Sequence, residues 1–308
     1  MKVLVFGFGG IGSRHVQSLV NLTGIKIYIV EKSLKNFNTN LDNLKLNKIQ
    51  IAKLHHFDSV NKIPQTTFDI VIHATNADVR LSTIKELISH LKFEHIVIEK
   101  ICFQNEEQFR EASYLFKLNN IKTYVHLPMR YYSSTKFLLK HSIDTKEVPQ
   151  VIIKGSNLGI LCNSIHYLDF LNFLGFAIVK NTQITDFSNT EAKLIESKRG
   201  GDYYELEGKV QMNYKNFSVV FIDLPDEIFK IDLNGTLSIS NDGIVQNGKV
   251  IYAEFRKFTS ELTEKIVKDI INDRSRLPNL DETFIYHKTI FNLYRTISGQ
   301  KPQNIPVT

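Results

Sequence analysis

The chain has 308 residues, 43% hydrophobic and 23% charged, with a formal net charge of +6; this balance excludes a disordered or fibrous protein. At ~150 residues per domain the length predicts two domains. The basic surplus is dispersed, without the run of roughly five or six like charges that marks a nucleic-acid-binding tail, and it suits attraction of phosphorylated small molecules.

In chain order, Lys2–Phe6 reads as a buried strand, followed by glycines and a helix to about Leu22. Lys26–Val30 is a second strand, Phe68–His73 a third, His95–Ile98 a fourth and Thr123–Leu127 a further one. Helical stretches fall at Val79–Leu91 and Glu106–Asn119. This alternation predicts a parallel sheet covered on both faces. Beyond Lys122 the texture changes. Val151–Lys154 reads as a strand and Asn163–Leu174 as a helix. A β-rich run follows, at Tyr203–Tyr214, Phe217–Ile222, Ile228–Leu233, Gly235–Ser240 and Lys249–Phe255, punctuated by Gly235, Gly243 and Gly248. Two helices, Phe258–Asn272 and Leu280–Ser298, end the chain, with Pro278 between them. The expected fold class is α/β. A Rossmann domain with a doubly wound parallel sheet spans residues 1–121. An α+β domain with a large open, mostly antiparallel sheet spans 122–308, and its last helix is a candidate to pack back onto the first domain.

Cys102 and Cys162 lie far apart with neither CxxC nor metal-like spacing. A disulfide framework and a zinc site are therefore not expected, and a reducing compartment is. The other histidines, His55, His56, His73, His90, His95, His126, His141 and His287, show no HExxH-like spacing and read as structural; no metal is expected. The apolar run Met1–Phe6 is too short for a signal-peptide core. No stretch approaches the roughly 18 uncharged apolar residues of a membrane span. A cytoplasmic location with no membrane and no nucleic-acid partner is the expectation.

Gly7-Phe8-Gly9-Gly10-Ile11-Gly12 fits GxGxxG directly after a strand and at the start of a helix, the context in which that pattern is informative. Gly7 permits the tight turn, Gly9 lets the backbone approach a pyrophosphate, and Gly12 allows close helix–strand packing. The helix amino terminus then offers N–H groups and partial positive charge to phosphates. Glu31, at the end of the second strand, satisfies the requirement for an acidic residue that accepts from ribose hydroxyls. That carboxylate favours NAD, while the adjacent Lys32 leaves NADP open.

On these residues the chain resembles the Gfo/Idh/MocA (glucose–fructose oxidoreductase, inositol dehydrogenase, MocA) family along nearly its whole length. Arg14-His15 matches the pair that often follows the glycines there, and His73-Ala74-Thr75-Asn76 the Thr-bearing loop beside the nicotinamide half. Glu99-Lys100 is similar to the Glu-Lys-Pro element, Met129-Arg130-Tyr131 to the Arg-Phe element at the domain crossover, and His166-Tyr167-Leu168-Asp169 to the His-x-x-Asp helix ending at Leu174-Gly175. Two departures stand out. Ile101 replaces the family's proline, so a cis peptide bond cannot be assumed there. Cys162, with Asn163 beside it, occupies the place of an Asp found in inositol-dehydrogenase-like members.

The resemblance implies an NAD(P)-dependent oxidoreductase that moves hydride between nicotinamide and a secondary alcohol or ketone of a sugar, cyclitol or nucleotide-linked sugar. It makes Lys100 and His166 the candidate catalytic residues, and adds Thr75, Asn76, Glu99 and Arg130 to the cofactor contacts. Lys100, Asn163, His166 and Asp169 become the substrate contacts. Asn163 reads equally as a helix N-cap, and Arg130 equally as a structural ion-pair partner. The resemblance also implies a homodimer or homotetramer formed through the second domain's sheet. Two alternatives stay open: a reductase of an imine or tetrapyrrole, and a non-catalytic NAD-sensing regulator.

Overall fold

The computed structural model describes the whole chain except residues 65, 142–147, 177, 179–185, 188–189, 199, 201, 216, 234, 255–256 and 308. β1 (Lys2–Phe6) is a central strand because Val3, Leu4, Val5 and Phe6 are all buried, which covers both of its faces. It leads into α1 (Gly10–Leu19). β2 (Lys26–Val30), α2 (Leu34–Leu44), the single-turn α3 (Lys48–Ile51) and β3 (Leu54–Phe57) follow. β4 (Thr67–His73), α4 (Ala77–His90), β5 (Lys92–Ile98), α5 (Glu106–Leu118) and β6 (Lys122–Val125) continue the alternation. These six strands are parallel, in the order β3-β2-β1-β4-β5-β6. The order reverses between β1 and β4, and open α/β sheets bind ligands beyond the carboxyl ends of the strands at such a reversal.

Next come α6 (Ser133–Lys140), β7 (Gln150–Gly155), α7 (Ile160–Phe173), β8 (Glu191–Glu196), β9 (Tyr204–Asn213) and β10 (Ser218–Asp223). β11 (Lys230–Leu233), β12 (Leu237–Ser240), β13 (Gly243–Gln246) and β14 (Lys249–Tyr252) complete an eight-stranded sheet of order β14-β13-β12-β11-β7-β10-β9-β8. Among the described residues only β7 and β10 pair in parallel within it, so the mostly antiparallel sheet expected from the turn glycines is present. Along β9, Leu206, Val210 and Met212 are buried while Glu207, Lys209, Gln211 and Asn213 are half-exposed, the period of a sheet covered on one face. α8 (Thr259–Ile271) and α9 (Leu280–Ser298) end the order.

The chain divides into two compact units, Met1–Pro128 with Lys257–Asp281, and Met129–Arg256 with Glu282–Thr308. The division lies at 128/129 rather than at 121/122. The returning segment is also different from the one expected. α8, not the last helix, joins the first unit, because it packs along α1. The Thr263 hydroxyl meets His15 Nδ1 at 2.8 Å, and Ser18 Oγ accepts from the backbone N–H of Glu264 at 2.9 Å. The chain after α8 then runs beside β6, where Val125 N donates to the Pro278 carbonyl at 2.9 Å and Lys122 pairs with Asp273 at 2.7 Å. An edge strand is covered in this way.

Candidate functional site

The turn between β1 and α1 is closed by contacts that only glycine permits. Gly7 has φ +91°, and a Cβ there would stand 3.0 Å from the backbone of Ala74. A Cβ on Gly12 would stand 1.9 Å from the Gly7 carbonyl oxygen. Gly9 and Gly10 differ: a Cβ on either meets no atom within 4 Å. Gly9 is the N-cap of α1, and no side chain caps that helix start. Ile11, in the same first turn, is 46% exposed. A tight turn with open space over its middle glycines and an uncapped helix start is the arrangement that receives a pyrophosphate.

Glu31 is engaged with this turn. Its carboxylate accepts from the backbone N–H of Phe8 at 3.0 Å and of Ser33 at 3.1 Å. A carboxylate has about four lone-pair sites, so capacity remains for ribose hydroxyls. The Phe8 carbonyl accepts from Asn40 Nδ2 at 2.8 Å, and the Phe8 ring packs on Phe37, whose other neighbour is the His56 imidazole, stacked at 3.9 Å. Phe8 thus holds the loop through both backbone groups and its ring. Lys32 is exposed.

At the ends of β4 and β5 lie Thr75, Asn76, Glu99 and Lys100. Thr75 is half-buried; Asn76 is the exposed N-cap of α4. Glu99, expected at the cofactor, is turned inward instead. Its Oε1 accepts from His15 Nε2 at 2.9 Å and from His126 Nδ1 at 2.7 Å. Burial pushes this carboxyl up, but the two imidazoles outweigh that and hold it well below the usual carboxylate range. His15 is held low chiefly by its own burial. His15, Glu99 and His126 are the one group among the described residues with ligand atoms close enough for a metal. A metal bound tetrahedrally to all three would separate those atoms by roughly 3.3 Å. The observed 2.7 and 2.9 Å are hydrogen-bond lengths. Lys100 is half-buried, and the Lys100–Ile101 peptide bond is cis although no proline is present.

In the second unit, Arg130 and Asp169 form a bidentate pair, Nε to Oδ2 at 2.9 Å and Nη2 to Oδ1 at 2.5 Å. Asp169 is fully buried and the Arg130 guanidinium also lies 4.9 Å from the Phe173 ring centre. Burial pushes the Asp169 carboxyl up, to about 6, against the pull of Arg130. Of the two readings of Arg130, the ion pair is the one seen. His166 is half-buried on α7. Asn163 is not an N-cap: α7 begins at Ile160 with Gly159 as its cap, at φ +66°. Asn163 Nδ2 instead donates to the Leu158 carbonyl at 2.7 Å. The helix start is satisfied from the sheet. Glu205 of β9 accepts from Leu161 N at 2.8 Å and Cys162 N at 3.0 Å, and Asp223 of β10 accepts from Gly159 N at 3.0 Å. No local pattern announces such a long-range cap. Cys102 and Cys162 are both buried free thiols, and burial pushes Cys102 up to about 12.

No family model and no curated protein matches the sequence. Solved structures do match the fold. UDP-N-acetylglucosamine 3-dehydrogenase GnnA from Acidithiobacillus ferrooxidans is 12% identical, with 97% of this chain and 98% of that one covered and a TM-score of 0.69. Scyllo-inositol dehydrogenase from Lactobacillus casei, with bound NAD(H) and scyllo-inositol, is 12% identical, with 97% of each chain covered and a TM-score of 0.64. This is the Gfo/Idh/MocA fold. A third structure, the transcriptional regulator Gal80p from Kluyveromyces lactis, matches at 14% identity and a TM-score of 0.66, with 97% of this chain and 93% of that one covered. On the Gfo/Idh/MocA fold of this chain, the glycine turn, Glu31, Thr75 and Lys100 sit at the carboxyl ends of β1, β2, β4 and β5, and His166 sits on α7. Among the described residues, no helix is long and apolar enough to cross a membrane.

Proposed function

We propose that the chain is an NAD(P)-dependent oxidoreductase, with NAD preferred, that acts on a secondary alcohol or ketone of a sugar, cyclitol or nucleotide-linked sugar. The observation that carries this reading is the β1–α1 turn, closed by Gly7 and Gly12 and open over Gly9 and Gly10. Gly9, Gly10 and Ile11 would hold the pyrophosphate through backbone N–H groups, and Glu31 would accept from the adenosine ribose. That carboxylate repels a 2′-phosphate, which favours NAD. The bound nicotinamide supplies the hydride acceptor or donor, and protein side chains manage the proton. Lys100 is assigned to take the hydroxyl proton, and His166 to hold the substrate hydroxyl or share that proton. Asn163 remains a candidate for a sugar hydroxyl through whatever capacity its contact with Leu158 leaves. The likeness to dehydrogenases of a nucleotide-linked sugar and of a cyclitol supports this choice of substrate class.

The test is turnover. The purified chain, given NAD⁺ or NADP⁺ and a panel of sugars, cyclitols and nucleotide-linked sugars, is expected to produce reduced nicotinamide with some member, and Lys100→Ala to abolish it. Full activity of Lys100→Ala on an identified substrate would remove Lys100 from the chemistry.

A second reading has its own support: an NAD-sensing regulator that binds cofactor without turnover. The absent Asp at Cys162 favours it, as does the likeness to a transcriptional regulator. It predicts cofactor binding with no product from any substrate in that panel, nor from imines and tetrapyrroles added to it.

A further inference from the structure

Arg80 lies in the first turns of α4 and is 1% exposed. Its guanidinium is aimed at backbone carbonyls from two separate segments. Nη1 donates to the carbonyls of Glu99 at 2.7 Å and Cys102 at 3.0 Å, and to that of Ile101. Nη2 donates to the carbonyl of Thr75. One cation therefore gathers the carbonyls that follow β5 and the carbonyl that follows β4.

Helix stability does not explain this placement. A positive charge near a helix amino terminus opposes the helix dipole, and burying a guanidinium is costly unless its N–H groups are satisfied. Three carbonyls converging from residues 99 to 102 would repel one another without a cation between them. A planar fork with five donors can serve two segments at once; an ammonium, a single point of charge, does so poorly. The segment it shapes contains Lys100, and the other contains Thr75. Sheet order places β4 between β1 and β5, so the Thr75 segment leaves the sheet beside the glycine turn and the Lys100 segment leaves it one strand further on.

We infer that Arg80 is a positioning residue: its buried guanidinium sets the backbone that carries Thr75 and Lys100, and so shapes the part of the cofactor site that receives the nicotinamide rather than the adenosine. The inference rests on the cofactor assignment made above. It separates two ligands that share adenosine and pyrophosphate. NADH carries a nicotinamide; ADP-ribose does not.

The experiment compares the affinities of NADH and ADP-ribose for the full chain and for Arg80→Lys and Arg80→Gln, alongside thermal unfolding. Arg80→Lys is expected to lower NADH affinity about tenfold, on the order of one charge-assisted hydrogen bond, and to leave ADP-ribose affinity unchanged within error. Arg80→Gln is expected to lose more NADH affinity with the same selectivity. Equal weakening of both ligands, or a drop in unfolding temperature with neither affinity altered, would overturn the inference and leave Arg80 a structural residue. Should both variants fail to fold, hydrogen exchange of the parent chain decides: NADH but not ADP-ribose is expected to slow exchange in residues 99–103, and equal protection by the two ligands overturns the inference. A parent chain that binds neither ligand instead defeats the cofactor assignment itself.

Discussion

Replacing Gly9 by alanine is expected to weaken cofactor binding while leaving the fold intact. Gly9 has φ −73° and ψ −162°, a backbone that alanine adopts without strain, and its Cβ would meet no protein atom within 4 Å. On stability alone Gly9→Ala is neutral or favourable by about 0.4–1 kcal/mol, because the unfolded chain loses freedom. The added methyl occupies the space the pyrophosphate must enter. Overpacking of a tight site costs about 1–3 kcal/mol, and 1.4 kcal/mol is a factor of ten, so the affinity for NADH should fall about 5- to 150-fold. Gly12→Ala is the contrast. Its Cβ would lie 1.9 Å from the Gly7 carbonyl oxygen, so the turn must move and stability must fall by at least that same overpacking cost. Urea unfolding and calorimetric titration of the two variants separate the effects. If Gly9→Ala binds NADH as the parent does, or unfolds as easily as Gly12→Ala, the reasoning about this turn is wrong.

Other predictions follow from the buried charges. Asp169→Ala leaves the Arg130 guanidinium without the carboxylate that takes two of its N–H groups, and is expected to cost about 3–5 kcal/mol in urea unfolding. Glu205→Ala removes the acceptor for two backbone N–H groups at the start of α7 and is expected to cost about 1–2 kcal/mol, read by the same method. Acid should destabilise the first unit in two stages. His15 and His73 are held below the ordinary histidine value of 6.5, each chiefly by burial. The unfolded chain therefore binds more protons, and stability falls as pH drops through 6.5. Glu99 is held below 4.5, so its contribution is present above that value and is lost as pH falls further. Asp169, raised to about 6, acts in the opposite sense, its contribution declining as pH rises from 3.8 towards 6. His73→Gln should flatten the upper part of the first-unit profile by about one proton; an unchanged slope would show that His73 titrates normally. Pairing of copies through the open face of the eight-stranded sheet, proposed on family likeness, would involve Glu207, Lys209, Gln211 and Asn213 of β9 and should weaken with added salt in size-exclusion measurements.

What was legible in the sequence depended on whether the physics is local. Glycines reveal φ and steric demands by their identity, so the turn at Gly7–Gly12 and the strand before it could be read directly. β3 could not: Leu54–Phe57 is short, carries two histidines and is only half-buried, so it shows no apolar period. α2 is similar, with four asparagines and only Phe37 and Leu44 buried. The start of α7 was misplaced because Asn163 resembles a cap, whereas the acceptors come from Glu205 and Asp223, far along the chain. Arg80 left no trace at all, since its partners are carbonyls that every residue possesses. Glu99 was assigned to the cofactor by its likeness to the Glu-Lys-Pro element, and nothing local shows that His15 and His126, distant in sequence, bind its carboxylate.

The most direct test of the account is calorimetric titration of the unmodified chain with NADH and NADPH. Saturable binding to a single class of site, tighter for NADH because Glu31 opposes a 2′-phosphate, is the expected result. Heat no greater than dilution for both nucleotides, at a concentration where the chain is folded, would contradict it.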